Sequence, residues 1–192
     1  MVRRYFPTLL YEDVIDRIKG RKYINEKYLA RCIRELKRWN APLTGWKCIW
    51  VVDVKEDDED AHFSECELCG CTKVRYEHHM EHADFPFPVV VGCICAGIME
   101  GDILKAKERE RLAKNRSARR RHFIEKKWKR NTAGAYIRRH RKQDITIIQS
   151  DGIYQVFVGG EKIVRYKGMP ITSLLAASYA AFNAADPEVK PV

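Results

Sequence analysis

Apolar residues between Thr8 and Asn40 recur at helical spacing, which predicts two helices there. In the second, Asn25 is placed to cap the first turn. Tyr28, Leu29, Cys32, Ile33 and Leu36 then fall on one face, so that face is expected in the core, with Cys32 as a packing residue. Asn40-Ala41-Pro42 and Gly45 end this part. The period then shortens to two. WKCIWVVDV, Trp46 to Val54, reads as a strand with Trp46, Cys48, Trp50 and Val52 on one side, so Cys48 is also expected in the core. The acidic run from Glu56 to Asp60 reads as a solvated loop.

Downstream, Asp102 to Arg130 contains neither Pro nor Gly and is rich in helix formers, predicting one helix about 40 Å long at 1.5 Å per residue. Asn131-Thr132-Ala133-Gly134 is expected to close it. Alternation then returns in ITIIQ, IYQVFV and EKIVRY, three strands joined at Ser150-Asp151-Gly152 and Gly159-Gly160, both hairpin signals. A last helix, Thr172 to Ala185, carries Leu174, Leu175, Tyr179 and Phe182 toward that sheet, and DPEVKPV reads as disordered.

The fold class that follows is α+β: N-terminal helices, a small zinc-knuckle module, a long basic α-helix and a C-terminal three-stranded antiparallel sheet with one helix. The expected divisions are residues 1–45, 46–101, 102–131, 135–186 and a tail at 187–192. The longest apolar run, Phe85 to Met99, is interrupted by Pro86 and Pro88 and is shorter than the roughly 20 residues a bilayer span needs, so no membrane helix is predicted. MVRRYFPTLLYEDV does not resemble a secretory signal, and a reducing cytoplasm is expected.

Charge sharpens this picture. The chain carries a net charge of +10. Thirteen Lys and Arg against four Asp and Glu lie between Asp102 and Arg130, a surplus of nine. Beyond Glu110, RLAKNRSARRRHFIEKKWKR holds ten basic side chains and one acid, too many for i,i+4 pairing to neutralise. An external polyanion is the simplest counterpart, so Arg116, Arg119, Arg120, Arg121, Lys126, Lys127, Lys129 and Arg130 are expected to bind the phosphates of DNA or RNA. Phe123 and Trp128 suit stacking on bases, although their spacing also suits packing.

The chemistry concentrates in CELCGCTKVRYEHHMEHADFPFPVVVGCICAG, which holds five of the seven cysteines. In a reducing compartment clustered cysteines point to metal rather than disulfides, and the odd count agrees. Cys66 and Cys69 form a CxxC followed by Gly70, the arrangement of a zinc knuckle, and Cys93 and Cys95 supply a second thiolate pair. The expected zinc ligands are these four. A Cys3His set, completed by His82 or His78 with one of Cys93 and Cys95 merely buried, is the alternative. Cys71 reads as a bystander, and His62 and His79 as surface or supporting groups.

The order CELCG, then Arg75, Tyr76, His78, Met80 and His82, then VGCICAGIMEGD resembles a group of uncharacterised bacterial and mobile-element proteins that share a cysteine-rich module. The resemblance extends over roughly residues 46 to 186, with Ala83 where that group usually has proline. It implies a zinc-stabilised module and a bacterial or phage setting.

The reading that follows is a non-enzymatic, zinc-stabilised nucleic-acid-binding protein. Two alternatives stand beside it. Glu77-His78-His79 after a CxxC also resembles HNH endonucleases, which would need Asn115 and His122 to complete a metal-dependent centre. A mobile-element interaction or inhibitor factor, engaging a protein or ribonucleoprotein partner, is the other.

Overall fold

A computed structural model describes residues 18–20, 22 and 24–187. The first predicted helix and the last five residues of the predicted disordered tail lie outside them. The chain divides into two compact units, Met1–Lys114 (with the last three residues) and Asn115–Val189. The element order is α1 (Glu26–Arg38), β1 (Lys47–Asp53), β2 (Tyr76–His82), β3 (Phe85–Val91), α2 (Cys93–Glu100), α3 (Ile103–Glu125), β4 (Lys129–Arg130), β5 (Tyr136–His140), β6 (Gln143–Ser150), β7 (Ile153–Val158), β8 (Glu161–Ile163), β9 (Arg165–Tyr166), β10 (Met169–Pro170) and α4 (Leu174–Ala185). None of the described helices is long and apolar enough to cross a membrane.

In the first unit, α1 forms as its sequence dictates. The Asn25 side chain accepts a hydrogen bond from the Lys27 backbone N–H at 2.9 Å, Lys37 and Arg38 stand in the last turn, and Leu29, Cys32, Ile33 and Leu36 are buried. β1, β2 and β3 form an antiparallel sheet in that order. On β2 the alternation is strict, with Tyr76, His78 and Met80 buried. β1 departs from its predicted face: a bulge between Cys48 and Trp50 inserts a residue and reverses the alternation. Trp46 and Cys48 are therefore buried, whereas Trp50 and Val52 are exposed and Val51 turns toward the core. Gly92 ends β3 and starts α2, and Gly101, left-handed at φ 77°, ends it. The next turn brings α3 against α2 so closely that a Cβ on Gly97 would stand 2.6 Å from the Ile103 Cα. Only glycine fits there. Ile98, Met99, Ile103 and Ala106 join Met80, Val91 and the buried face of α1 in one core.

The second unit corrects the predicted fold. Its sheet has five antiparallel strands in the order β4-β5-β6-β7-β8, not three, and β9 and β10 form a separate two-stranded ladder. The two hairpin turns are where the sequence puts them, with positive φ at Asp151, Gly152, Gly159 and Gly160. The segment expected as the end of the long helix is instead the start of the sheet. α3 stops at Glu125, five residues early, because Arg138 supplies what a following turn would have supplied. Its guanidinium donates to the Phe123 and Lys126 carbonyls and lies 4.5 Å above the Phe123 ring and 4.0 Å above that of Trp128. Trp128 in turn donates to Ser178 Oγ at 2.9 Å. Asn131 to Gly134 is a hairpin turn between β4 and β5 rather than a helix end. The core joins Ile145, Ile147, Val156 and Val158 to Phe123, Phe182 and the small residues of α4. Ala177, Ala180, Ala181 and Ala185 face inward, whereas Leu175 is exposed.

Candidate metal centre and basic surface

Two groups of side chains among the described residues could hold a metal ion. The first is Cys66, Cys69 and Cys95, all buried, with sulfur atoms within 4.8 Å of one another. The knuckle is built by backbone bonds: the Gly70 N–H donates to the Cys66 carbonyl at 2.7 Å, the Cys66 N–H to the Cys71 carbonyl at 2.8 Å, and Gly70 takes φ 68°. Cys71, exposed, contributes its carbonyl and stays outside the sulfur cluster. The Gly92 N–H points at Cys66 Sγ, 3.4 Å away.

α1 packs against this group through Cys95 and Cys69. Cys32 Sγ lies 3.9 Å from Cys95 Sγ, the Tyr28 hydroxyl one turn earlier lies 3.0 Å from the same sulfur, and Arg31 donates to the Cys69 carbonyl. Periodicity marks Cys32 as a core residue, and it is fully buried. A thiol on an apolar helix face carries no spacing signal that would reveal its tertiary neighbours. Hydrogen bonding to Cys95 holds Cys66 below the ordinary thiol range and Cys69 down to about 4, while Cys95, bonded to Cys32, Cys66 and Cys69 and buried, is pushed far up. Burial and the adjacent Cys95 likewise push Tyr28 up.

Cys93 does not join the other thiolates. In extended chain the two thiols of a CxC would share one side, but both cysteines lie in the first turn of α2, where an offset of two residues is a rotation of about 200°. Cys93 therefore faces away from Cys95. It meets His78 of β2 and Glu110 of α3 in the second group, whose three donor atoms also lie within 4.8 Å of one another. His78 is completely buried, and burial holds its ring below the ordinary value. Its Nε2 lies 3.7 Å from Glu110 Oε2, too far for a hydrogen bond, and has no hydrogen-bond partner. Lys114 Nζ meets Glu110 Oε1 at 2.5 Å. Burial raises the Glu110 carboxyl, but His78 and Lys114 outweigh it and hold it at about 2. Burial, with Glu110 beside it, pushes the Cys93 thiol up to about 12.

The remaining histidines serve other contacts. His82 packs 5.6 Å from the Trp46 ring and accepts from the Asp84 N–H at 3.0 Å, so it belongs to neither group. His79 Nε2 pairs with Glu77 Oε2 at 3.1 Å on the less buried side of β2, and His62 is exposed. Asn115 and His122, the residues an HNH centre would require, are exposed positions of α3 in the second unit.

The second unit sorts the predicted phosphate-binding residues into two sets. Asp186, expected in the disordered tail, is instead 2% exposed and pairs with two guanidinium groups, Arg119 Nε at 2.6 Å and Arg141 Nη1 at 2.8 Å, with His140 Nε2 3.6 Å away. Arg116 donates to the Asp186 carbonyl at 3.0 Å and to Asn183 Oδ1 at 2.9 Å, over the Phe182 ring. Arg120 is buried, its guanidinium 4.2 Å from the Tyr179 ring centre. These three arginines hold the unit together. Arg121, Lys126, Lys127, Lys129 and Arg130 are exposed. Phe123 and Trp128 pack edge to face, 5.7 Å apart, inside the unit.

Across the sheet, Lys129, Ile137, Thr146, Phe157 and Lys162 are cross-strand neighbours on five successive strands. This row alternates with the core-facing row of Tyr136, Ile147, Val156 and Ile163, and so occupies the opposite face. Lys162 Nζ stands 6.0 Å from the Phe157 ring centre.

Compared with known proteins, the chain matches no protein family, no curated protein and no solved structure.

Proposed function

We propose that this chain is a zinc-stabilised nucleic-acid-binding protein of bacterial or phage origin, in which the first unit holds the metal and the second binds phosphate. The observation that carries the binding reading is the partition of charge. Residues 1–114 contain twenty Lys and Arg and twenty Asp and Glu, whereas residues 115–189 contain fifteen against six. The second unit thus bears nearly the whole surplus, and one of its six acids, Asp186, is already consumed internally.

Phosphate contact falls to Arg121, Lys126, Lys127, Lys129 and Arg130, joined by Arg139 and Lys162 of the sheet. Such a surface binds by releasing counterions, with affinity that falls steeply with salt. Phe157, next to Lys162 in a row that begins at Lys129, offers a ring on which an unpaired base can stack. Arg116, Arg119 and Arg120 position this surface rather than contact the ligand.

For the metal, the sulfur donor set favours zinc in a reducing compartment. Cys66, Cys69 and Cys95 would hold it, and Cys32, beside Cys95 but outside that group of three, is the thiol that a small shift of α1 would bring in as fourth ligand. A Zn–S length of about 2.3 Å in a tetrahedron places sulfurs about 3.8 Å apart, and Cys32 and Cys95 stand 3.9 Å apart. An ion there would tie α1, the knuckle and α2 together and contribute folding free energy.

The test is binding of the zinc-loaded protein to labelled single-stranded and duplex DNA and RNA across a salt series, with magnesium or manganese added in parallel. A linear fall of log affinity with log salt and no cleavage is expected. Metal-dependent cleavage would move the assignment to a nuclease, and absence of binding at low salt would move it to a protein partner.

A further inference from the structure

The second group of donors in the first unit is not explained by a structural zinc site. His78 comes from β2, Cys93 from the first turn of α2 and Glu110 from α3, yet their donor atoms converge within 4.8 Å. A packing role leaves one feature unaccounted for. His78 is wholly buried, and its Nε2 lies among these donors without a hydrogen-bond partner. An orphaned buried nitrogen is unfavourable unless something is bound to it.

The other ring nitrogen is better supplied. Cys48 Sγ lies 3.9 Å from His78 Nδ1 and 3.2 Å from the Trp50 carbonyl, and Arg109 Nη2 stands 3.5 Å from Nδ1 while the Arg109 guanidinium makes its shorter bonds, at 3.0 and 2.8 Å, to Glu100. A metal ion at Nε2 requires the tautomer that carries its proton on Nδ1, with the Cys48 sulfur as acceptor. Glu110 has one oxygen on Lys114 and the other turned to His78.

We propose that His78, Cys93 and Glu110 form a second metal site, for a divalent ion of the zinc and cobalt class, distinct from the cysteine site. A neutral imidazole, a thiolate and a carboxylate together carry two negative charges, matching one divalent cation. Mixed nitrogen, sulfur and oxygen donors suit a borderline ion rather than magnesium or calcium. Three protein ligands leave a fourth position open. Cys93 and Glu110 both line a cleft with Tyr76 and Lys114, so that position is available to water or a small anion. The sequence hides this site because CxC reads as one pair of ligands, whereas the helix sends its two thiols to different ions.

The experiment is metal counting on the full-length protein by native mass spectrometry after zinc loading, repeated with cobalt to read sulfur-to-metal charge transfer. The account expects two equivalents in the unaltered chain and one in Glu110→Gln and Cys93→Ala, both with circular dichroism unchanged. The equivalent retained in Glu110→Gln and Cys93→Ala reports the cysteine site in the same folded chain, which separates failure of this proposal from failure of that site. A single equivalent in the unaltered protein, or two retained in both Glu110→Gln and Cys93→Ala, would overturn it.

Discussion

The two units organise charge in opposite ways. The first contains all seven cysteines and equal numbers of acidic and basic residues, and its ionic groups pair locally, as Arg75 with Asp53 and Arg109 with Glu100. The second contains no cysteine and a surplus of nine positive charges over residues 115–189. Among its described residues, the buried Asp186 carboxylate is held by Arg119 and Arg141. The clustered thiols of the first unit could hold a cation, whereas the surplus of guanidinium and ammonium groups gives the second unit the opposite sign of demand. The α3 sequence runs through the boundary between the two, so its residues answer to different demands before and after Lys114.

The most severe way to break this contrast is to remove the metal. Chelation, or Cys66→Ser, should cost the first unit much of the roughly 10–16 kcal/mol that structural zinc supplies in small domains. It should leave the second unit's unfolding transition in place, as two-phase thermal melts followed by circular dichroism would show. Asp186→Ala acts on the other side. It strands Arg119 and Arg141, and because both are half exposed the loss should be about 1–3 kcal/mol, confined to the second unit and read by urea denaturation.

The same carboxylate predicts a pH response. Burial raises Asp186, but Arg119 and Arg141 outweigh it and hold it below the ordinary aspartate value. A depressed carboxyl stabilises the fold above its unfolded pKa, near 4, and that contribution disappears as pH falls through the lowered folded value. Acid titration of the unaltered protein and of Asp186→Asn should therefore diverge above about pH 4 and converge below it.

A smaller effect is expected where helices meet. Gly97→Ala would force a Cβ against Ile103 and should destabilise the first unit by about 1–3 kcal/mol without changing nucleic-acid affinity in the second. Smallest in stability is the change that sharpens the contrast most. Replacing Lys126, Lys127 and Lys129 by Gln, and sparing Arg130, which stacks on Tyr136, should alter stability by less than about 0.5 kcal/mol. It should also reduce the slope of log affinity against log salt by roughly 0.9 for each phosphate that is no longer neutralised.

What is legible in the sequence is local. Asn25 as a cap, the buried face of α1, the Cys66–Cys69 knuckle and both tight hairpins follow from short-range rules, and the structure has them. What is not legible depends on partners far along the chain. Arg138 ends α3 from thirteen residues beyond Glu125, so the sequence predicts too long a helix and gives no sign of β4 and β5. In β5 the inward positions include Arg138 and His140, which conceal the apolar alternation that marks a strand. Cys93 leaves its expected place for the same reason: which donors meet is decided by which elements converge, not by spacing along the chain.

The division of labour is tested most directly by titrating the zinc-loaded, isotope-labelled protein with a short oligonucleotide at low salt and mapping amide shifts. The account predicts that shifts concentrate at residues 121–130 and along the Lys129–Phe157–Lys162 face, while Cys66, Cys69 and Cys95 keep their positions. Shifts confined to residues 66–95, with the basic unit unmoved, would contradict it.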